Sequence, residues 1–478
     1  NENCKVWARW GNVYVASIPM GSVARLSLHP DVVRIEANQS QSCLMDSAII
    51  QTNAIPAYEG RSLPQAFTGK GVVMGIMDIG FDLTHPNFYN SQMSDYRIKA
   101  LWDQLYPDTD EGSDLPVGRE FVGEKSLLAI GRSLDGKTET HGTHTLGIAA
   151  GSGGEGVPQS LPGKYHGMAY ESDICLVANL TSDNHEYVDS ARYDLYTYAT
   201  DALGFKYIFD YADKVGEPCV VSFSEGSRED FSEENVLFEE VLDSLTSIPG
   251  HIIVSSAGNN NLSTYSYAHK PAGVESAGFF SWKWGRHLIY HIAKSKNPFT
   301  FRNTFYYGTS PQVLEVSTAE VLATPDSTYT TSCEVNGEKY LLTIGAYKSF
   351  LDKDEVCYDW LVQTEDSNPN PHLGKNPEIS FQMIDKEADV EVYQRIGDIC
   401  HSNTDPKLNA GEASHNVNVP ASLKSVICVG STVNHTYSVD TQGEKQNVVG
   451  SPIGSWASYS SVGPSASGLT KPDVMAPG

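Results

Sequence analysis

Four short runs of the chain are almost wholly apolar: Val72-Val73-Met74-Gly75-Ile76-Met77, Ile174-Cys175-Leu176-Val177-Ala178, Cys219-Val220-Val221-Ser222-Phe223-Ser224 and Ile252-Ile253-Val254-Ser255-Ser256. All four read as strands; the first, short and with no polar face, suits a strand buried on both sides, and helical stretches separate the later ones. In the last of these helices Leu237, Val241 and Leu245, at i, i+4 and i+8, mark an apolar face. Strand–helix alternation of this kind predicts a parallel sheet covered by helices on both faces. A chain of 478 residues is long enough for two or three domains with well-buried cores.

Open parallel sheets place their reactive groups at the carboxyl ends of the strands. The first run ends in Asp78-Ile79-Gly80, which by itself is also an ordinary turn. The last runs into Ala257-Gly258-Asn259-Asn260, where Asn259 offers an amide N–H of the kind that stabilises an oxyanion. Between them Thr140-His141-Gly142-Thr143-His144-Thr145-Leu146-Gly147-Ile148-Ala149-Ala150-Gly151 starts with a histidine and continues in small residues. That composition predicts a helix opened by His141 and pressed against the sheet, with Gly142, Gly147, Ala149 and Ala150 allowing the close approach. A histidine held there can act as a general base near neutral pH. His141 and His144 at i, i+3 spacing are also a metal pair in outline, but no Glu lies between them and no third ligand follows.

The net charge of −26 and a pI of about 4.8 argue against nucleic acid and anionic membrane surfaces as partners. No apolar run approaches the roughly 18 residues of a membrane span. A start at Asn1 without a secretory apolar region suits a processed or recloned chain, and export is compatible with it. The eight cysteines form no C-x-x-C pair, and Cys175, Cys219 and Cys428 sit in apolar runs where a buried free thiol is expected.

At the N-terminus, Val13–Pro19 reads as a strand, Val23, Leu26 and Leu28 as a short helical turn closed by Pro30, and Val32–Glu36 as a second strand. This β-α-β unit over 13–36 is too small for its own core and is expected to dock on the rest. Residues 41–70 read as an irregular connector. Further on, Val356, Tyr358, Trp360 and Val362 alternate, as do Val390 and Val392, which predicts antiparallel strands.

Asp78-Ile79-Gly80 followed by His85-Pro86, then His141-Gly142-Thr143-His144, then Ser256-Ala257-Gly258-Asn259, in that order, resemble the subtilisin-like serine proteases (subtilases). Residues 71–88, 141–151, 167–177, 219–227, 252–260 and 417–478 all look like segments of that family. The resemblance implies a subtilisin-like α/β fold and a serine endopeptidase acting on protein or peptide substrates through an Asp-His-Ser triad. Asp78 would orient His141, His141 would be the base, and the Asn259 side chain would donate to the oxyanion. In subtilisin itself, loss of such a donor costs about 2.7–4 kcal/mol. Ser224, Glu225 and Gly226 match the strand against which the family lays substrate, and Ser256, Ala257 and Gly258 match a wall of its first specificity pocket. Glu225 departs from the apolar residue usual there and makes the pocket more acidic, which favours basic side chains.

The resemblance divides the chain into a prosegment-like module at 1–40, a catalytic domain at 41–261 and 416–478, and an inserted β-sandwich at 262–415. Some bacterial subtilases carry such a jelly-roll-like insert. Gly308-Thr309-Ser310 copies the family's nucleophile triplet but continues in Pro311-Gln312-Val313-Leu314, in strand-like surroundings, and is a chance match. Lys471-Pro472-Asp473-Val474-Met475-Ala476-Pro477-Gly478 matches the stretch that precedes the family's nucleophile, so the serine is expected beyond Gly478 and this chain alone is expected to be inactive. The resemblance also implies a location outside the cytoplasm: extracellular, periplasmic or at the cell surface. No cofactor is required; a structural calcium at surface loops suits the acidic composition, though no ligand set is identifiable. Two other readings are a pseudoprotease that binds peptides without cleaving them and, on the insert alone, a carbohydrate-binding surface protein.

Overall fold

A computed structural model of the chain describes residues 5–10, 13–32, 45–107, 114–154, 165–228, 235–261, 265–282, 288–364, 377–439, 444–447 and 451–478. Its contacts divide it into two units, Asn1–Ser47 and Ala48–Gly478. In the first, Lys5–Trp10 and Val13–Ser17 form an antiparallel hairpin, followed by a helix over Met20–Ser27. The strand expected at Val13 therefore exists, but its partner precedes it. Leu28 is the helix C-cap and 85% exposed, so it lies past the last turn instead of on an apolar face. Of the strand expected at Val32–Glu36 only Val32 is described, outside any strand, and the rest lies outside the described residues.

The second unit is built on an eight-stranded sheet in the order Val474–Pro477, Ile427–Thr432, His251–Ser256, Cys219–Phe223, Val73–Asp78, Asp173–Ala178, Ile98–Asp103 and Arg119–Val122. Every pairing is parallel except the last. All six residues of Val73–Asp78 are buried, as its lack of a polar face requires. Alternation then assigns its side chains to two cores. Val73 and Met77 pack with Phe205 and Ile208 of the helix Tyr198–Val215, whereas Met74 and Ile76 pack with Leu146 and Ala150 of the helix His141–Ala150. Asp78 shares the parity of residues 74 and 76, so it faces the helix that His141 opens.

Two expectations about helix faces need correction. In Val236–Thr246 it is Phe238 and Leu242 that are buried, while Leu237 is 79% and Val241 41% exposed; Leu245 packs at the edge of the core. Two apolar stripes run side by side on this helix. The stacking of Phe238 on Tyr198, centroids 5.0 Å apart, decides which one turns inward. In His141–Ala150, a Cβ on Gly142 would meet the Phe81 ring at 2.7 Å, which is the tight packing expected, but Gly147 has open space around it. The close approach further along comes from Gly167, where a Cβ would lie 2.6 Å from the Ala150 amide nitrogen.

Residues 267–412 supply two antiparallel sheets of five and seven strands. Phe279, Phe301 and Phe381 from one and Ile344, Tyr358 and Trp360 from the other belong to a single core. The Trp360 indole N–H donates to Asn303 Oδ1 at 2.8 Å, joining the sheets through a buried polar bond. Tyr358, Trp360 and Val362 point inward, as their alternation requires. Gly308-Thr309-Ser310 lies exposed between the strands Thr300–Tyr306 and Gln312–Ser317. Cys175, Cys219 and Cys428 are buried free thiols.

Candidate active site

The order of strands turns at Val73–Asp78, since later strands are added first on one side of it and then on the other. Ligands bind at such a switch, outside the carboxyl ends. Here a cleft of about 930 Å³ opens there, lined by His141, Asn179, Ser224, Glu225, Asn259 and Gly478 among others.

Asp78 is fully buried at the last position of its strand, and its carboxylate accepts three hydrogen bonds. His141 Nδ1 lies 2.6 Å from Oδ1, which also accepts from the Ile79 amide at 2.7 Å; Oδ2 accepts from the Thr145 hydroxyl at 2.8 Å. Thr145 is i+4 from His141 and therefore on the same helix face. The two residues expected to be neighbours across 63 positions are thus brought together. Gly80 makes this possible: its φ is +76°, and a side chain there would overlap the Glu139 backbone just ahead of His141. The helix start is pinned by Gly142 N–H to Ile79 O and Thr143 N–H to Gly80 O, at 2.6 and 3.0 Å. The Asp78 hydrogen bond raises the His141 pKa above its ordinary 6.5, partial burial opposes the rise, and the charges of Asp78 and Asp183 add to it. With Nδ1 engaged, Nε2 is the ring atom available for proton transfer.

Asn259 is exposed at the cleft, immediately after the strand end and Gly258. That loop is held from behind: Asn260 Nδ2 donates to Asn418 Oδ1 at 2.6 Å, and its amide donates to the Ser461 hydroxyl at 3.1 Å. Gly258 has φ +105° and lies so close to Asn418 and Ser461 that a Cβ would be 2.9 Å from each. Ser256, Ala257 and Gly258 line the cleft on this side; Ser224, Glu225 and Gly226 follow the end of Cys219–Phe223 and line it on another.

On the opposite face of the sheet the site holds a second polar group that the sequence reading touched only at Glu225. Asn179 directly follows Asp173–Ala178, and its amide donates to Glu225 Oε2 at 2.7 Å. It also acts on the carboxyl of Asp201, in the first turn of the helix Tyr198–Val215, opposing the rise of its pKa. Asp201 is a partly exposed residue whose carboxyl is enclosed, and burial pushes its pKa up to about 7 despite Asn179. Burial likewise pushes Glu225 well above the carboxylate range, with the charge of Asp78 adding to it. Further back, the fully buried Asp135 accepts from Gly80 N–H at 3.1 Å, from Ser133 at 2.6 Å and from Asn184 at 2.8 Å, tying the Asp78 turn to the loops behind it. Asn179 was accessible to the rule about strand ends, and Thr145 to helix spacing. Asp201 and Asp135 carry no such signal. Among the described residues no group of three or more His, Cys, Asp or Glu side chains is arranged to hold a metal, His141 and His144 included.

Residues 69–278 match the model of the subtilase family, ending where the chain enters the antiparallel sheets. Two curated relatives from Arabidopsis thaliana, subtilisin-like proteases SBT2.2 and SBT2.3, are 33% and 30% identical over 117 and 121 residues. Those stretches are 21% and 22% of this chain but only 13% and 14% of the relatives' lengths. The solved structure of the Clostridium perfringens CspB protease aligns with a TM-score of 0.61 at 17% identity, covering 90% of this chain and 81% of that one, a likeness of fold. No described helix is long and apolar enough to cross a membrane. The chain carries a subtilase-family domain over residues 69–278.

Proposed function

We propose that this protein is a subtilisin-like serine endopeptidase in which Asp78, His141 and a serine outside residues 1–478 form the triad. The observation that carries the reading is the Asp78–His141 bond at 2.6 Å, at the mouth of a cleft that also presents Asn259. Asp78 holds the imidazole with Nδ1 protonated, so Nε2 accepts the serine proton as the serine oxygen attacks the peptide carbonyl carbon. The oxyanion is met by the Asn259 amide, and Nε2–H then passes its proton to the departing amine. Water, activated in the same way, hydrolyses the acyl-enzyme. The strand Val474–Pro477 leads to Gly478, which lines the same cleft as His141.

In this reading residues 1–40 are a prosegment-like module, 41–261 and 416–478 form the catalytic domain, and 262–415 are a jelly-roll insert for packing or partner contact. The protein acts outside the cytoplasm. Calcium, if bound, serves surface loops and takes no part in the chemistry. A fluorophosphonate probe applied to the complete gene product tests the central claim. Labelling of a serine that follows Gly478, lost in His141→Ala, supports it. Labelling of no serine favours the peptide-binding pseudoprotease instead.

A further inference from the structure

The acidic side of the cleft is unfinished. Gln104, Asn179 and Glu225 each bury a side-chain oxygen that has no hydrogen-bond partner among the described residues. Gln104 and Asp201 line a chamber of about 300 Å³ with Leu180, Tyr196, Tyr198 and Thr200. Leu180, Tyr198 and Asp201 line the main cleft as well, so the chamber opens off it. Strand parity puts these groups together. Cys175 and Val177, and Val221 and Phe223, all pack on the side of the helix Tyr198–Val215, and Asn179 and Glu225 continue those two alternations. Asp201 arrives from the start of that helix.

All three unpartnered atoms are acceptors, and of two enclosed carboxyls, Glu225 accepts from the Asn179 amide while Asp201 lies at the opening between chamber and cleft. Among the described residues no lysine, arginine or histidine lines the chamber. A group that answers this lining supplies several N–H donors, brings no acceptor and carries positive charge, which describes a guanidinium or an ammonium. Asn179 and Glu225 line the main cleft, and Asp201 lines both spaces. We propose that the junction of chamber and cleft binds the cationic side chain, arginine or lysine, of a peptide lying along Ser224–Gly226, making Asp201 and Glu225 the residues that set substrate preference. This rests on the reading of the cleft as a peptide site. The raised pKa values of Asp201 and Glu225 suit two carboxyls that lack a counter-charge, and an arriving cation would lower both.

The test uses the 478-residue chain and fluorescein-labelled hexapeptides carrying arginine, lysine, citrulline or norleucine at each position in turn, read by anisotropy. At one position arginine should bind about tenfold or more tightly than citrulline, its uncharged isostere, as a charge-assisted hydrogen bond allows. Glu225→Gln and Asp201→Asn should each bring that ratio towards one; should one variant fail to fold, the other decides together with the wild-type ratio. Equal affinity for arginine and citrulline at every position overturns the proposal. So does a ratio unchanged in both folded variants, or no binding of any peptide. Cleavage is scored separately, on the complete gene product. Arginine preference without turnover sustains the chamber and removes the protease reading, whereas turnover without the preference does the reverse.

Discussion

Replacing Asp78 by asparagine isolates the interaction on which the site depends. Asparagine keeps the volume and one acceptor oxygen, so the Ile79 and His141 bonds at Oδ1 survive as neutral hydrogen bonds and the amide nitrogen turns to Thr145. What disappears is the charge. A hydrogen bond to a charged group contributes about 1.5–3 kcal/mol and a neutral one about 0.5–1.5, a difference of about 1–1.5 kcal/mol. At about 1.4 kcal/mol per pKa unit, a loss of this size lowers the His141 midpoint to an extent that titration resolves. The ring is 48% exposed, so solvent screening favours the smaller figure. With the Asp78 charge gone, partial burial is opposed by the charge of Asp183 and a neutral hydrogen bond, so the variant's midpoint should lie below that of the wild type. Ring-carbon NMR of histidine-labelled protein measures it, with His141→Gln identifying the resonance among 14 histidines. The stability effect has a definite sign. A histidine whose folded pKa is raised contributes stability that is complete below about 6.5 and lost as pH rises through the folded value. The difference in Tm between wild type and Asp78→Asn should therefore be widest below that pH and shrink towards pH 9. A midpoint that stays or rises in the variant, or a gap that widens with pH, would refute the electrostatic account.

On the proposed reading as a serine protease, Asn259→Ala in the full gene product should lower kcat by about a hundred- to a thousandfold with little change in KM, because the amide meets charge that exists only in the transition state; an effect confined to KM would count against that role. Asp201→Asn should be more stable than wild type at pH 8 and lose that advantage by about pH 4. The folded carboxyl titrates near 7 instead of 3.8, so folding retains a proton that the unfolded chain releases, and stability falls as pH rises between those values. Thermal melts across that range decide it. Trp360→Ala should cost about 3–5 kcal/mol in urea unfolding, since it empties a fully buried indole site and strands Asn303; a loss under about 1 kcal/mol would mean that the two sheets do not depend on their shared core.

Much of the site was legible because it depends on local chemistry repeated at a fixed place. Apolar runs without a polar face became the central strands, and Asp78, His141 and Asn259 stood at the strand and helix ends where open parallel sheets expose their groups. Even the pairing of Asp78 with the His141 helix follows from strand parity, which is a property of the sequence once the strand is known. Parity also places Asn179 and Glu225 on the other face, although in the sequence only Glu225 stands out, as a departure from the family pattern. What the chain could not announce was contact made by tertiary packing alone. Two apolar stripes on Val236–Thr246 were equivalent by spacing until Phe238 met Tyr198. Gly147 matched Gly142 in composition, yet only Gly142 has the Phe81 ring against it. Asp201 and Asp135 lie in ordinary polar surroundings in sequence, and become an enclosed acid and a buried anchor because distant loops close over them. Periodicity assigns a side chain to a face; which partner waits on that face, and whether water is excluded there, is decided only when the elements assemble.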